Sequence, residues 1–345
     1  MDYALESLIK IVIVLGAVIT AVAYVVLAER KVSAYIQNRL GPNRVGPWGL
    51  LQPLADGLKF ITKEDVIPNH VNKPVYLIAP AAILIPALMG FAVVPFGDVL
   101  NVMGREVALV IANLDIGVLY VLALSSLGVY GVVLGGWASN NKYALMGGIR
   151  ASAQMISYEL SLGLSLIGVL MISGTLRLTD VVNLQAGTQL FGILPAWFVF
   201  TQPIACILFI VSVFAETNRL PFDLPEAEQE LVAGYHAEYS SMKFAMFFMA
   251  EYAHMITASA LIATLFFGGW HLPGLDPADD SLGVSILKVL VFSVKTAFFL
   301  FVFIWVRWTV PRFRYDQVMR LGWKYLLPIA LANVFVTGLV LTLMR

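Results

Sequence analysis

The chain predicts an all-α, polytopic integral membrane protein of about eight transmembrane helices, with one further amphipathic helix in the membrane interface. Of its 345 residues, 59% are hydrophobic and only 13% charged. Soluble domains carry roughly 25% charged residues, so a soluble fold would lack the polar surface to cover such a core. The apolar residues gather in stretches long enough to cross a hydrocarbon layer that takes about 20 helical residues. None has the short alternating pattern of a transmembrane β-barrel strand.

The stretches run from Leu8 to Leu27, Val75 to Pro95, Ile116 to Leu134, Ala151 to Ser173, Leu190 to Ala215, Phe244 to Trp270, Ile286 to Trp308 and Trp323 to Leu343. The first lacks a cationic leader and a small-residue cleavage site and is followed directly by Glu29-Arg30-Lys31, so it reads as a retained span. Placing the loops after the first, third, fifth and seventh spans on one side collects 16 of the 22 Lys and Arg residues. By the positive-inside rule that side faces the cytoplasm or matrix, and both termini face the outer, periplasmic or intermembrane, side. Trp137, Trp197, Trp270, Trp305, Trp308 and Trp323 fall near span ends, where an interfacial belt places them. Residues 1–345 thus read as one membrane domain with two polar inner-side loops, 29–74 and 216–243.

The longer loop opens with turn chemistry, Gly41-Pro42 and Gly46-Pro47, that forbids continuous helix. It then becomes amphipathic, with Leu50, Leu51, Leu54, Leu58 and Ile61 on one helical face and Gln52, Asp56, Lys59 and Lys63 on the other flank. Such a helix lies along the membrane surface. A simple interfacial anchor and a roof over a lateral opening for a lipophilic molecule both fit it.

The shorter loop begins with Glu216, Asp223, Glu226, Glu228 and Glu230 against a single base, Arg219. A solvated acidic face is one reading. The other is a coupled set of carboxylates held close by Pro221 and Pro225 and interleaved with Phe222 and Leu224, which is what proton transfer or switching requires.

Inside the spans lie Glu159, Glu251, His254 and Lys295. Each costs at least about 2.5 to 3.5 kcal/mol at a helix centre unless paired or hydrated, and intramembrane ionisable groups are functional by default. Glu251 and His254 share a helix face at i,i+3 spacing. Structural pairing is the alternative for each, such as Lys295 with a carboxylate of another helix. Asp115, just before the third span, reads as a helix N-cap.

Cys206 is the one cysteine, so this chain alone builds neither a disulfide nor a cysteine-ligated metal or cluster. There is no P-loop and no Gly-x-Gly-x-x-Gly turn after a strand. Redox cofactors, if the protein serves redox chemistry, belong to partners.

Three long runs carry a resemblance: Glu29 to Lys59 (ERKVSAYIQNRLGPNRVGPWGLLQPLADGLK), Gly136 to Leu160 (GWASNNKYALMGGIRASAQMISYEL) and Glu216 to Tyr235 (ETNRLPFDLPEAEQELVAGY). In these motifs, and in length and helix layout, the whole chain resembles the H-type membrane subunit of proton-pumping NADH:quinone oxidoreductase, respiratory complex I. The resemblance implies a translocase subunit at the junction of the membrane and peripheral arms, forming the quinone entrance and chamber walls without a complete active site of its own. It implies quinone as substrate, with NADH, FMN and iron-sulfur clusters in partner subunits. Neighbouring peripheral-arm and membrane-arm subunits are the implied partners, in a bacterial cytoplasmic or a mitochondrial inner membrane. It implies a buried proton path of Glu159, Glu216, Asp223, Glu226, Glu228 and Glu251 with Arg219 as counter-charge, and an entrance at Arg30, Asp56 and Lys59. An anchor subunit of an energy-converting hydrogenase is the neighbouring alternative, although the long first loop favours quinone chemistry. A stand-alone transporter would place its polar detail near the membrane midplane.

Overall fold

The computed structural model describes residues 3–102, 105–186, 189–190, 194–224, 233–273 and 281–344. Twelve helices occur among them: α1 Tyr3–Ile36, α2 Gln52–Thr62, α3 Lys73–Met89, α4 Gly117–Ala138, α5 Lys142–Ser173, α6 Leu178–Ala186, α7 Phe198–Thr201, α8 Pro203–Glu216, α9 Ser241–Phe266, α10 Leu282–Thr309, α11 Tyr315–Leu321 and α12 Leu327–Leu343. Two short antiparallel ladders, Val99–Val102 with Arg105–Ala108 and Gln189–Leu190 with Leu194–Pro195, and three 3-10 turns, Pro47–Gly49, Gly90–Ala92 and Gly234–His236, complete the described elements.

Seven helical segments among the described residues are long and apolar enough to cross a membrane: α1, α3, α4, α5, α9, α10 and the continuous α11–α12 rod, which contains one π-helical turn at Gly322–Leu326. The remaining span, expected as unbroken helix from Leu190 to Ala215, is interrupted. Helix α8 has 14 residues, about 21 Å at 1.5 Å per residue. The break falls at Gln202 (φ −131°, ψ 55°) because Pro203 disfavours a helical residue before it. Non-helical backbone survives at membrane depth only when buried in protein. Gln202 meets that condition: its amide donates to Thr337 Oγ1 at 2.9 Å and accepts from Asn333 Nδ2 at 3.0 Å, both on α12.

Helix α9 is the hub. It packs on α1, α2, α3, α6, α8 and α10, while α4 joins α3 to α5, and α5 carries α8 and α12. Accordingly 67% of the α9 apolar stretch is buried, against 17% for the first and last spans, which lie at the periphery of this chain. Two glycines permit the tight crossings. A Cβ on Gly131 would stand 2.7 Å from Ile83 N of α3, and one on Gly136 would stand 2.6 Å from Ala144 O of α5. Small residues at such crossings let backbones approach where lipid provides no hydrophobic drive.

Three local expectations are corrected. The first helix does not end near Leu27 but continues through Glu29 to Ile36, since no breaker precedes Gly41-Pro42. Asp115 does not cap α4: Ile116 stands at the N-cap position and Val118 N–H donates to Leu176 O at 3.1 Å. With that orphan donor served by backbone, Asp115 pairs instead with Arg177. Lys295 meets no carboxylate among the described residues. Its ammonium donates to the carbonyls of Phe267 (2.7 Å), Gly269 (2.9 Å) and His271 (2.6 Å) and lies over the Trp197 ring, so it closes the C-terminus of α9, where helix dipoles favour a cation.

The segment before α9 is folded onto the bundle. Tyr239 stacks on Tyr76 of α3 at 4.1 Å, and His236 stacks on Phe244 at 5.3 Å with its Nδ1 2.6 Å from Ala233 O. Burial pushes the His236 imidazole down to about 4. An unfolded histidine takes up its proton as pH falls below about 6.5, and the folded one only near 4. The stabilisation is therefore fully present above about 6.5 and is lost as pH falls towards 4, roughly 3 kcal/mol across the window. Thermal denaturation of the detergent-solubilised protein from pH 7.5 to 4.5 is expected to show a smaller acid-side loss in His236→Phe, which keeps the stacking, than in wild type. An unchanged slope contradicts this assignment.

Candidate functional site

The described part of the acidic loop is not a solvated face. After α8, Asn218 adopts a left-handed conformation (φ 52°) and Arg219 N–H donates back to Phe214 O at 3.2 Å. This is the hydrogen-bond pattern that closes helix C-termini. Gln154 of α5, fully buried, clamps the turn: its amide reaches Ala215 O (2.8 Å), Phe222 O (2.8 Å) and Asn218 Oδ1 (3.2 Å). Phe222 then packs between Tyr158 of α5 and Phe313. The chain is turned inward, so Arg219 and Asp223 are buried.

Arg219 sits between two carboxylates. Its Nε lies 2.6 Å from Glu251 Oε1 of α9, and its Nη1 lies 3.3 Å from Glu29 Oε2 of α1. Glu29 also pairs with Arg307 of α10 and accepts from Tyr252 Oη at 2.8 Å, while the Arg219 guanidinium covers the Tyr252 ring at 4.3 Å. Nearby, Asp223 Oδ2 accepts from Arg312 Nη2 at 2.7 Å. Burial raises the Asp223 carboxyl above its ordinary range, opposed by Arg312, Arg307 and Arg219. Three guanidinium groups thus face three carboxylates where α1, α9, α10 and the turn after α8 meet.

A second pair lies across α4. Ser126 Oγ bonds Glu159 of α5, and its neighbour Ser125 adjoins Glu216 at the end of α8. Glu216 also lines a cavity of about 40 Å³ with Ser125, Thr217, His254 and Thr257, walled by apolar residues of α4, α5, α8 and α9.

A larger cavity, about 370 Å³, opens between α1, α2 and α9, within the range of small-molecule pockets. Its walls are Ile19, Val22, Ala23, Val26 and Leu27 of α1, Pro53, Gly57, Phe60 and Ile61 of α2, and Phe244, Phe248, Met249 and Tyr252 of α9, with Arg30, Gln52 and Asp56 as polar groups. Asp56 accepts from Arg30 Nη1 at 2.6 Å and from Gln52 at 3.1 Å, and Lys59 Nζ stands 3.8 Å away. The α2 leucine stripe faces out: Leu54 and Leu58 are 63% and 62% exposed.

The fold therefore gathers the expected acids into two sets, Glu159 with Glu216, and Glu251 with Arg219, with Asp223 beside the second. Arg30, Asp56 and Lys59 come together at the larger cavity. Glu226, Glu228 and Glu230 lie outside the described residues. Sequence reasoning missed Glu29, Tyr252, Arg307 and Arg312 as members of the site. A signal for Glu29 existed: Val18, Val22, Glu29 and Ser33 fall on one stripe of a helix continued past Leu27, and all four are buried. Among the described residues, no group of three or more His, Cys, Asp or Glu side chains is placed to hold a metal ion.

Residues 9–338 match the NADH dehydrogenase family. The chain is 52% identical over 343 residues to an H-type NADH-quinone oxidoreductase subunit of Geobacter metallireducens, covering 99% of this chain and 98% of the relative. It is 52% identical over 355 residues to the H-type counterpart of Koribacter versatilis (99% and 98%), and 48% identical over 346 residues to that of Flavobacterium psychrophilum (99% of each).

Removing one partner of a buried ion pair leaves an uncompensated charge, at a cost of about 3–5 kcal/mol. Arg219→Ala, which strands Glu29 and Glu251 together, is expected to lose stability of that order in thermal denaturation of the solubilised protein. Arg314→Ala, at a surface position, is expected to lose little. Equal losses would contradict the central place given to Arg219.

Proposed function

We propose that this chain, which belongs to the NADH dehydrogenase family and with it to the H-type subunits of NADH-quinone oxidoreductase, forms the quinone entrance and chamber wall and couples quinone reduction to proton translocation. As a multi-pass subunit of an oxidoreductase complex, it works with other subunits, and we assign NADH, FMN and the iron-sulfur clusters to those partners. The basic loops face the cytoplasm, in the inner membrane of a bacterium. One observation carries the reading: Tyr252 lines the 370 Å³ apolar cavity and donates to Glu29 of the charged cluster at 2.8 Å. A lipophilic head group in that cavity would be one side chain away from the buried carboxylates.

The α2 helix gives the cavity its roof. Its exposed leucine stripe matches a lipid or protein contact, and its inner flank, with Asp56 held by Arg30, gives an otherwise apolar passage a polar rim. A molecule with an isoprenoid tail enters from the lipid side through such a wall without leaving an apolar environment.

Reducing a quinone to a quinol consumes two electrons and two protons. Transient negative charge at the head group raises the energy of ionised carboxylates nearby, and each pKa unit of such coupling corresponds to about 1.36 kcal/mol. The Glu251, Glu29 and Arg219 set would register that charge first and the Glu216 and Glu159 pair next. Changes of protonation along this path then bias the adjoining membrane subunit.

Two outcomes follow. Gly57 faces the cavity, and a Cβ there meets nothing within 4 Å. Gly57→Phe is therefore expected to leave the fold intact and to lower turnover with long-tailed quinones tenfold or more, while NADH oxidation by a hydrophilic acceptor continues. Parallel loss of both activities would return α2 to a plain anchor. Glu216→Gln preserves size and hydrogen bonding but carries no titrating proton. In assembled complex, quinone reduction and proton pumping are expected to fall together, and full retention of both would refute the carboxylate path.

A further inference from the structure

We propose that His254 carries protons between the two sets of carboxylates that the fold holds apart, Glu216 with Glu159 and Glu251 with Glu29. The proposal rests on the reading of those acids as a proton path and supplies the link that path lacks. No described hydrogen bond or ion pair joins Glu216 to Glu251.

The position of His254 lies between the two sets. It lines the same cavity of about 40 Å³ as Glu216, and it follows Glu251 by three residues on α9, one helical turn away. Side chains on a helix lean towards its N-terminus, so the imidazole inclines over the turn that carries Glu251. Its Nε2 is buried without a hydrogen-bond partner among the described residues. Buried polar atoms left in that condition are rare enough to need a reason. Opposite this nitrogen, α4 places no side chain: a Cβ on Gly128 would stand 3.4 Å from Nε2 and 3.8 Å from Cε1. Gly128 lies three residues beyond Ser125, on the α4 face that adjoins Glu216.

The cavity chemistry narrows the choice of carrier. Its volume holds on the order of three or four waters, at about 10–15 Å³ each. Two of the hydroxyls around it donate to helix carbonyls, Thr217 to Val213 (2.9 Å) and Thr257 to Ala253 (3.0 Å), and offer such waters acceptors only, while Ser125 lies within hydrogen-bond reach of both Leu122 O (2.9 Å) and the Glu216 carboxyl. The groups on this wall that bind and release protons are Glu216 and His254. Apolar side chains from Val118, Leu162, Phe209 and Leu261 close the remainder, which confines proton movement to that pair.

The transfer balances without electrons. The Glu216 carboxyl releases its proton through cavity water to one imidazole nitrogen, as the N–H of the other ring nitrogen passes its proton to the Glu251 carboxylate. Glu216 ends as a carboxylate and Glu251 as a carboxylic acid. The imidazole is neutral before and after, changes tautomer, and resets by rotation. The reverse direction uses the same steps.

The test uses the assembled complex in sealed membrane vesicles, with complex content normalised by NADH oxidation through a hydrophilic acceptor. His254→Leu removes the carrier, and His254→Gln restores polarity without a nitrogen that titrates. Both are expected to lose at least tenfold in quinone-coupled proton pumping. Full rescue by Gln would reduce His254 to a polar space-filler and overturn the proposal. Gly128→Ala sets a methyl against Nε2 and is expected to slow pumping severalfold in wild type but to add nothing in the His254→Gln background. Independent, additive losses would overturn the proposal as well, and this arm holds even where His254→Leu fails to assemble. Glu216→Gln separates the two levels: if it pumps normally, the carboxylate path itself falls, whereas loss in Glu216→Gln with normal pumping in His254→Leu refutes the histidine link alone.

Discussion

The buried guanidinium of Arg219, held between Glu29 and Glu251, is the constraint from which the arrangement of this half of the bundle follows. A cation with 3% side-chain exposure is tolerable only when its charge is matched and its surroundings are fixed. The match requires α1 to continue past Leu27 to Glu29, α8 to end in a tight left-handed turn, and α9 to present Glu251 and Tyr252 on one side. Arg307 brings α10 into the same network through Glu29. Three carboxylates and three guanidinium groups leave this interior close to neutral, so a proton added or removed changes the balance by a full charge in a medium that screens poorly.

Helix α9 carries most of the site because it is the most enclosed span. Glu251 and Tyr252 serve the charged cluster, Tyr252, Phe248 and Phe244 wall the larger cavity, and His254 faces the smaller one. These roles are possible on one helix because successive residues point about 100° apart and every direction meets another element. A peripheral helix such as α1 or α12 would spend half of those directions on lipid.

The two cavities differ as their neighbours do. The larger is apolar with a polar rim at Arg30 and Asp56, and it is enclosed by a short amphipathic helix, α2, together with the spans α1 and α9. The smaller is walled by apolar residues and hydroxyls, with Glu216 and His254 as the ionisable side chains among its lining. Non-helical backbone is equally selective in where it occurs: Gln202 interrupts the expected fifth span where Thr337 and Asn333 hold its side-chain amide against α12, and Lys295 closes the end of α9 through three carbonyls.

The sequence by itself determined the class, because composition and apolar stretch length are properties of the solvent the chain must satisfy. It also determined that α2 is amphipathic, since a 3.6-residue period is local, and that acids crowd near Arg219, since they adjoin it in the chain. It misplaced the end of α1, where charge was read as loop although nothing prevents a charged residue from continuing a helix. Only the tertiary structure decided which charges meet. Glu29 lies 190 residues from Arg219, 223 from Tyr252 and 278 from Arg307, and their contact depends on how far each helix is rotated about its axis. That rotation is set by packing, through close approaches such as Gly131 on Ile83 and clamps such as Gln154 on the turn after α8. No local period encodes it.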